Sequence, residues 1–247
     1  MFRNLFKNRA STKYPIGLGM TELPKSIYKG KQPITSKDFK VYVNDHFATK
    51  IKEIGFKGRD FNYYREQEDY IECVNFWTYK VGGAIQVDLM IKFKGIKYPD
   101  EENEIKPRFV KQENAEFIRR LSPHKISNNS INVWFWIFNE NPKKNIEIVN
   151  DIWKLFESCG MDFFNEFKNH QEYVRKVETK DYMNFADFYT KRISGKFEIG
   201  VVYFLFRYWE KYGDNSKATE FAKKGIEIAK EKEYLEYKTE FKKHINT

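Results

Sequence analysis

The stretch Ala84-Ile85-Gln86-Val87-Asp88-Leu89-Met90-Ile91-Lys92-Phe93-Lys94 decides the fold class. Ile85, Val87, Leu89, Ile91 and Phe93 fall on one side of an extended chain, and Gln86, Asp88, Met90, Lys92 and Lys94 on the other. This two-residue period is that of a half-buried antiparallel strand. Upstream, Gly82-Gly83 marks a turn and Tyr70 to Tyr79 a second strand, and the polar turn Glu66-Gln67-Glu68-Asp69 separates that strand from a third, Phe56 to Arg65. Strands joined in sequence by short turns make an antiparallel meander. Ahead of it, Thr35 or Ser36 caps a helix in which Phe39, Val43, Phe47, Ile51 and Ile54 recur at helical spacing, and Gly55 ends it.

Downstream, the acidic loop Pro99-Asp100-Glu101-Glu102-Asn103-Glu104 leads to a short helix expected from Glu113 to Arg120. Ile131 to Phe138 reads Ile-Asn-Val-Trp-Phe-Trp-Ile-Phe, apolar on both faces, which predicts a strand near the sheet centre covered by helices or by the N-terminal arm. Pro142 opens a long helix to about Asn169, with a stripe of Ile146, Val149, Trp153, Phe156, Phe163 and Phe167 and a break expected at Gly160. Ile199, Val202, Tyr203, Phe206 and Trp209 make one further helix. Gly213-Asp214-Asn215-Ser216 is a turn, and Ala218, Phe221, Ala222, Ile226 and Ala229 make another helix, with a short piece from Tyr234 to His244. A lone hairpin cannot bury its own apolar face, so it is expected to dock on the preceding domain. The fold class is α+β: an antiparallel sheet of four or more strands flanked by helices, with a C-terminal helical hairpin. The expected units are a basic N-terminal arm over 1–35, an α+β domain over 36–190 and a helical C-terminal extension over 191–247.

With 41% hydrophobic residues and a mean hydropathy of -0.73 the chain is globular, and its longest apolar runs, such as Val201 to Phe206, are far short of a membrane span, which takes about 20 residues. The start, Met1 to Arg9, lacks the apolar core of a secretory signal, so a cytoplasmic location is expected. The net charge of +9 is uneven: residues 1–35 carry +6 and residues 217–247 carry +2, leaving the long middle near +1. The arm is suited to nucleic acid, an anionic membrane face or an acidic protein. Cys73 and Cys159 stand far apart in apolar surroundings and read as buried small hydrophobes rather than as a disulfide or zinc site.

No cluster of His, Cys, Asp or Glu and no glycine loop stands at a spacing that a familiar chemistry requires, so no catalytic residue, metal ligand or cofactor is assigned. Pro99-Asp100 with Glu104-Ile105-Lys106 carries the letters of a nuclease site, but both parts fall in one charged loop. Gly17-Leu18-Gly19 lacks a third glycine and a preceding strand and is a turn. His46, His124, His170 and His244 lie in separate elements and read as solvent-facing or satisfied in the core. Trp77, Trp134 and Trp136 have the chemistry to stack bases, but Trp134 and Trp136 are flanked by Ile, Val and Phe, which favours core packing.

The block from Phe39 to about Lys94 resembles the bacterial domain-of-unknown-function family 4304. The residues that carry the likeness are a helix ending in Ile54-Gly55-Phe56-Lys57-Gly58, the strand Asn62-Tyr63-Tyr64-Arg65, then Cys73-Val74-Asn75-Phe76-Trp77 and Ile85-Gln86-Val87-Asp88-Leu89. Trp77 stands where Gln is common in that family. The resemblance brings no catalytic residues. It implies a neighbourhood of secreted toxins and a role as a cytoplasmic immunity protein, whose partner is a cognate toxin or effector with an acidic surface.

Arg59, Tyr63, Tyr64, Arg65 and Tyr79 are the expected binding residues, because they are aromatic or basic and lie outside the apolar strand pattern. Two alternatives stay open. One is a nucleic-acid-binding protein that uses the arm, and the other is an enzyme whose site is assembled from scattered residues such as Asp45, His46 and Asp88.

Overall fold

The computed structural model of the protein describes residues 34–78, 83–99, 101, 103–121, 135–179, 197–229 and 234–246. Residues 1–33 of the N-terminal arm, Tyr79, Trp134, His124 and the first part of the Ile131 to Phe138 stretch lie outside these residues.

Thr35 caps helix α1 (Ser36–His46) through a reciprocal box: its hydroxyl accepts from the Asp38 amide at 3.2 Å, and its own amide donates to the Asp38 carboxylate at 2.9 Å. The hydroxyl and amide bonds from Thr35 hold the Asp38 carboxyl below its ordinary value. After a break at Phe47 the chain continues as α2 (Ala48–Glu53), and Gly55, at φ 93°, turns it into the sheet. The expected single strand from Phe56 to Arg65 is a tight hairpin, β1 (Lys57–Arg59) and β2 (Asn62–Glu66). Asp60 at its tip has φ 60°, a conformation held by Asn44 of α1, which exchanges two hydrogen bonds of 3.0 Å with it. Gly58 is required there, because a Cβ would lie 2.2 Å from the Asn62 carbonyl oxygen.

Strands β3 (Tyr70–Thr78) and β4 (Ala84–Phe93) complete the meander as the alternation predicts. The short helix expected from Glu113 to Arg120 is instead strand β5 (Phe117–Leu121), paired antiparallel with β4 from Ile91↔Phe117 to Val87↔Leu121. Tertiary pairing overrides the helix propensity of Ala115, Glu116 and the two arginines, and β5 sends Phe117 and Leu121 to one face of the sheet. Strand β6 (Trp136–Ile137) also pairs with β4, at Ala84 and Ile85, so it shares the outer edge of β4 with β5 and is not central. Among the described residues the sheet has six strands, in the order β1-β2-β3-β4-β5 with β6 beside β5 on β4.

One face of this sheet meets the helices. Asn141 caps α3 (Pro142–Leu155), and the helix is not broken at Gly160. It passes through a π turn (Phe156–Gly160) into α4 (Met161–Glu166), a 3-10 turn (Phe167–Asn169) and α5 (His170–Thr179). A Cβ on Gly160 would sit 2.9 Å from Phe156 Cδ2 and 3.2 Å from Leu89 Cδ1, so the glycine allows close approach to β4 where a break was expected. The last elements are α6 (Phe197–Lys211), α7 (Asn215–Ile228), capped by Asp214, and α8 (Leu235–Ile245). Gly213, at φ 79°, makes the α6–α7 turn.

A single apolar cluster runs from Phe39 to Phe241 through the sheet, so the C-terminal helices share the core of the α+β unit. Phe93 of β4 lies within 6.5 Å, ring to ring, of Tyr70, Phe117, Phe167, Phe204 and Tyr208. Each such buried ring contributes about 1.5–3 kcal/mol by leaving water.

The second face of the sheet departs from the expected half-burial, since all of β4 is buried on both sides. The described residues of the segment 94–116 fold back over it, and Val110, Ala115 and the half-buried Ile105 close on Ile71, Cys73, Met90 and Ile118. An ion pair inside this layer fixes it. Lys92 Nζ lies 2.7 Å from Glu116 Oε1 and 3.0 Å from the Ile96 carbonyl oxygen, and the Phe93 amide donates to Glu116 Oε2 at 2.8 Å.

Candidate functional site

Because residues directly across a sheet share a face, strand register assembles a row that sequence distance hides. On the outer face, away from the helices, the partners run Arg59↔Asn62↔Asn75↔Asp88↔Arg120, one residue from each of five strands. The Asn75 amide donates to Asn62 Oδ1 at 2.5 Å. Asp88 has no exposed surface, and its carboxylate accepts from Arg120 Nε at 2.9 Å, from Gln86 Nε2 at 3.0 and 3.1 Å, and from the Gln112 amide. Charge-assisted bonds of this kind stabilise an ionised carboxylate away from water and orient the groups that donate to it. Arg120 is 30% exposed, so the row ends in a guanidinium at each side of the sheet, with Arg59 exposed at the other.

Beyond the row, Trp77 pairs with Gln86 and Ile137 with Ala84, and both apolar side chains stay exposed, at 42% and 45%. On the near side Tyr64 sits opposite Lys57 and Cys73. A shallow, open crevice lies between Asn62, Tyr64, Asn75 and Met90 of the sheet and Pro107, Arg108 and Val110 of the covering segment. The Arg108 guanidinium stacks 4.6 Å from the ring of Phe109, which is 52% exposed. Among the described residues, Lys57, Arg59 and Arg108 form no ion pair. Burial pushes the Cys73 thiol beneath this face upward, which keeps it protonated and inert.

Arg59 and Tyr64 thus reach the outer face, and two other expected binding residues do not. Tyr63 points into the helix-side core at 1% exposure, packed on Phe47 and Phe76, and burial raises its hydroxyl pKa. Alternation alone places it opposite Tyr64. Arg65 also turns to the helix side, where Nε lies 2.6 Å from Glu72, Nη1 donates to the Ile54 carbonyl at 2.8 Å, and the guanidinium covers Phe56 at 4.7 Å. Asp45 and His46 are carried by α1 on the helix side, whereas Asp88 faces outward, so the scattered enzyme set is not brought together. Asn62, Asn75, Gln112 and Arg120 are members of the outer face that sequence reading missed. Gln86 and Asp88 were visible as the polar side of β4, but their partners depend on register and on the strand status of β5.

Two histidines sit in satisfied networks. His170 lies between the Tyr208 hydroxyl at 2.6 Å and Asp69 at 3.2 Å, joining α5, α6 and the β2–β3 turn. His244 lies between Glu210 at 3.1 Å and the Thr219 hydroxyl at 3.3 Å. Among the described residues no three His, Cys, Asp or Glu side chains gather as a metal site, and no helix is long and apolar enough to cross a membrane.

Comparison with curated proteins and with solved structures gives no match. Residues 47–166, from the break after α1 to the end of α4, match the family described as Domain of unknown function (DUF4304). The matched segment holds the six described strands and every residue of the outer-face row, so the likeness to the DUF4304 family covers the sheet and its candidate site.

Proposed function

We propose that the protein acts by binding another protein rather than by catalysis, as a cytoplasmic immunity protein that neutralises a secreted bacterial toxin or effector. The observation that supports this reading is the exposed Trp77, held on β3 beside a row that ends in an arginine on each side. Trp, Tyr and Arg are the residues enriched at binding hot spots, and a strand-borne indole presents its area with little conformational entropy left to lose. The buried carboxylate of Asp88 serves that surface by fixing Arg120, Gln86 and Gln112.

A protein that silences a toxin present at low copy number needs a nanomolar or tighter complex, about 12 kcal/mol. Co-expression with the protein encoded beside it, followed by pull-down and a growth assay, tests the reading. Co-purification together with rescue of growth is the expected result. Failure of both, with turnover of a small substrate by the isolated protein, would show that the reading is wrong.

A further inference from the structure

Resting on the binding role proposed above, we infer that the docking surface is the outer sheet face from Trp77 across Asn62 and Tyr64 to Arg108 and Phe109, and that its occupant is an acidic protein surface. The first ground is charge. Lys57, Arg59 and Arg108 border this face without an ion pair among the described residues, and Asp88, its buried carboxylate, is already matched by Arg120. The face therefore carries at its rim three cations that close no ion pair among the described residues, with the Asp60 carboxyl held low by its Asn44 hydrogen bond and, in part, by nearby Arg59, and this charge favours carboxylates on a partner and speeds encounter. The second ground is anatomy. Exposed Trp77 lies two residues along β3 from Asn75, and exposed Phe109 lies between Arg108 and Val110, which with the half-buried Tyr64 and the hydrogen-bonded pair Asn62 and Asn75 line one crevice. Apolar anchors around a polar, pre-paired centre with a charged rim match the layout of a protein–protein interface.

The remaining faces offer less. The helix side of the sheet is filled by the continuous core, and the ion pairs Lys144–Glu147, Lys176–Glu172 and Lys243–Glu240 tie up part of the charge on the outer helices.

The test uses the full chain co-expressed with the protein encoded beside it. The double reversal Arg59→Glu with Arg108→Glu is expected to lower affinity about tenfold or more and to flatten its dependence on salt, because rim charges act on association. Trp77→Ala is expected to speed dissociation by a similar factor, since it removes an anchor. Lys37→Glu with Lys143→Glu, on exposed positions of α1 and α3, serves as the control and leaves binding unchanged. Unchanged far-UV spectra and melting temperatures show that the variants fold.

If the reversal and Trp77→Ala bind and rescue growth as the wild type does, the surface is wrong while the immunity reading stands. If the wild type neither captures the neighbour nor rescues growth, both fall together. If the wild type binds a mixed-sequence single-stranded oligonucleotide and the reversal abolishes it, the face serves nucleic acid, and the acidic-protein occupant is overturned.

Discussion

At the scale of single residues, Gly58, Gly160 and Gly225 each leave a Cβ less than 3.0 Å from a neighbouring atom, and the last gives a direct test. A Cβ on Gly225 of α7 would lie 2.3 Å from both Cε2 and Cζ of Phe241, a ring with no exposed surface. Gly225→Ala should gain about 1 kcal/mol in helix propensity and lose about 1–3 kcal/mol to overpacking. A lower melting temperature is expected, with partial recovery when Phe241→Leu is added to make room. A rise in melting temperature for the single variant would mean that α7 and α8 are less tightly crossed than the distances show. Asp69 gives a second test through pH. Burial pushes its carboxyl upward, but the neighbouring Tyr212 hydroxyl, the Lys211 ammonium at 3.4 Å and His170 at 3.2 Å together hold it below the ordinary 3.8. A carboxyl lowered in the folded state stabilises the fold fully above the unfolded value and ceases to as pH falls through the folded one. Asp69→Asn should therefore melt below the wild type at neutral pH, with the difference closing below about pH 3.8, as a thermal scan against pH will show.

At the scale of elements, the strands and helices with clean periodicity were legible from their letters. β3, β4, α6 and α7 form where alternation or helical spacing places them, because each pattern leaves one register in which apolar side chains reach the core. β5 was not legible. Its residues favour a helix locally and become a strand only because β4 offers an unpaired edge. The cover over the second sheet face was hidden for a related reason: it is an irregular segment with no period, so Gln86, Asp88 and Lys92 looked solvated although they are buried. The candidate site inherits both gaps, since Arg120 lies on the misread strand and Gln112 on the unread cover. What holds that cover can be measured. Lys92→Met leaves Glu116, with no exposed surface, short of its cation, and breaking a buried pair in this way costs about 3–5 kcal/mol. The loss should appear as a lower urea midpoint. Lys92→Met with Glu116→Gln should recover a good part of it, because the uncompensated charge is gone. An equal loss in both variants would assign the effect to shape rather than charge.

At the scale of the whole molecule, the sheet does not make a finished unit with its own helices. Phe204 and Tyr208 of α6 pack on Phe93, Phe204 also packs on Phe117, and Tyr203 packs on Tyr98, so α6 is part of the wall behind β4 and β5. A chain ended at residue 196 should bind a hydrophobic dye and lose its sharp thermal transition, whereas a sharp transition in that fragment would show a self-sufficient body over 36–190. The same wall bears on how the protein is made. A ribosome releases the strands, then α3 to α5, and only afterwards the rings that close the back of the sheet. Through that interval Phe93 and Phe117 lack their α6 partners, so the nascent chain is a client for holdase chaperones until α6 emerges. Translation arrested with β5 but not α6 outside the ribosome should yield a species bound by chaperone or cleared by protease, and a chain in which α6 to α8 have all emerged should not.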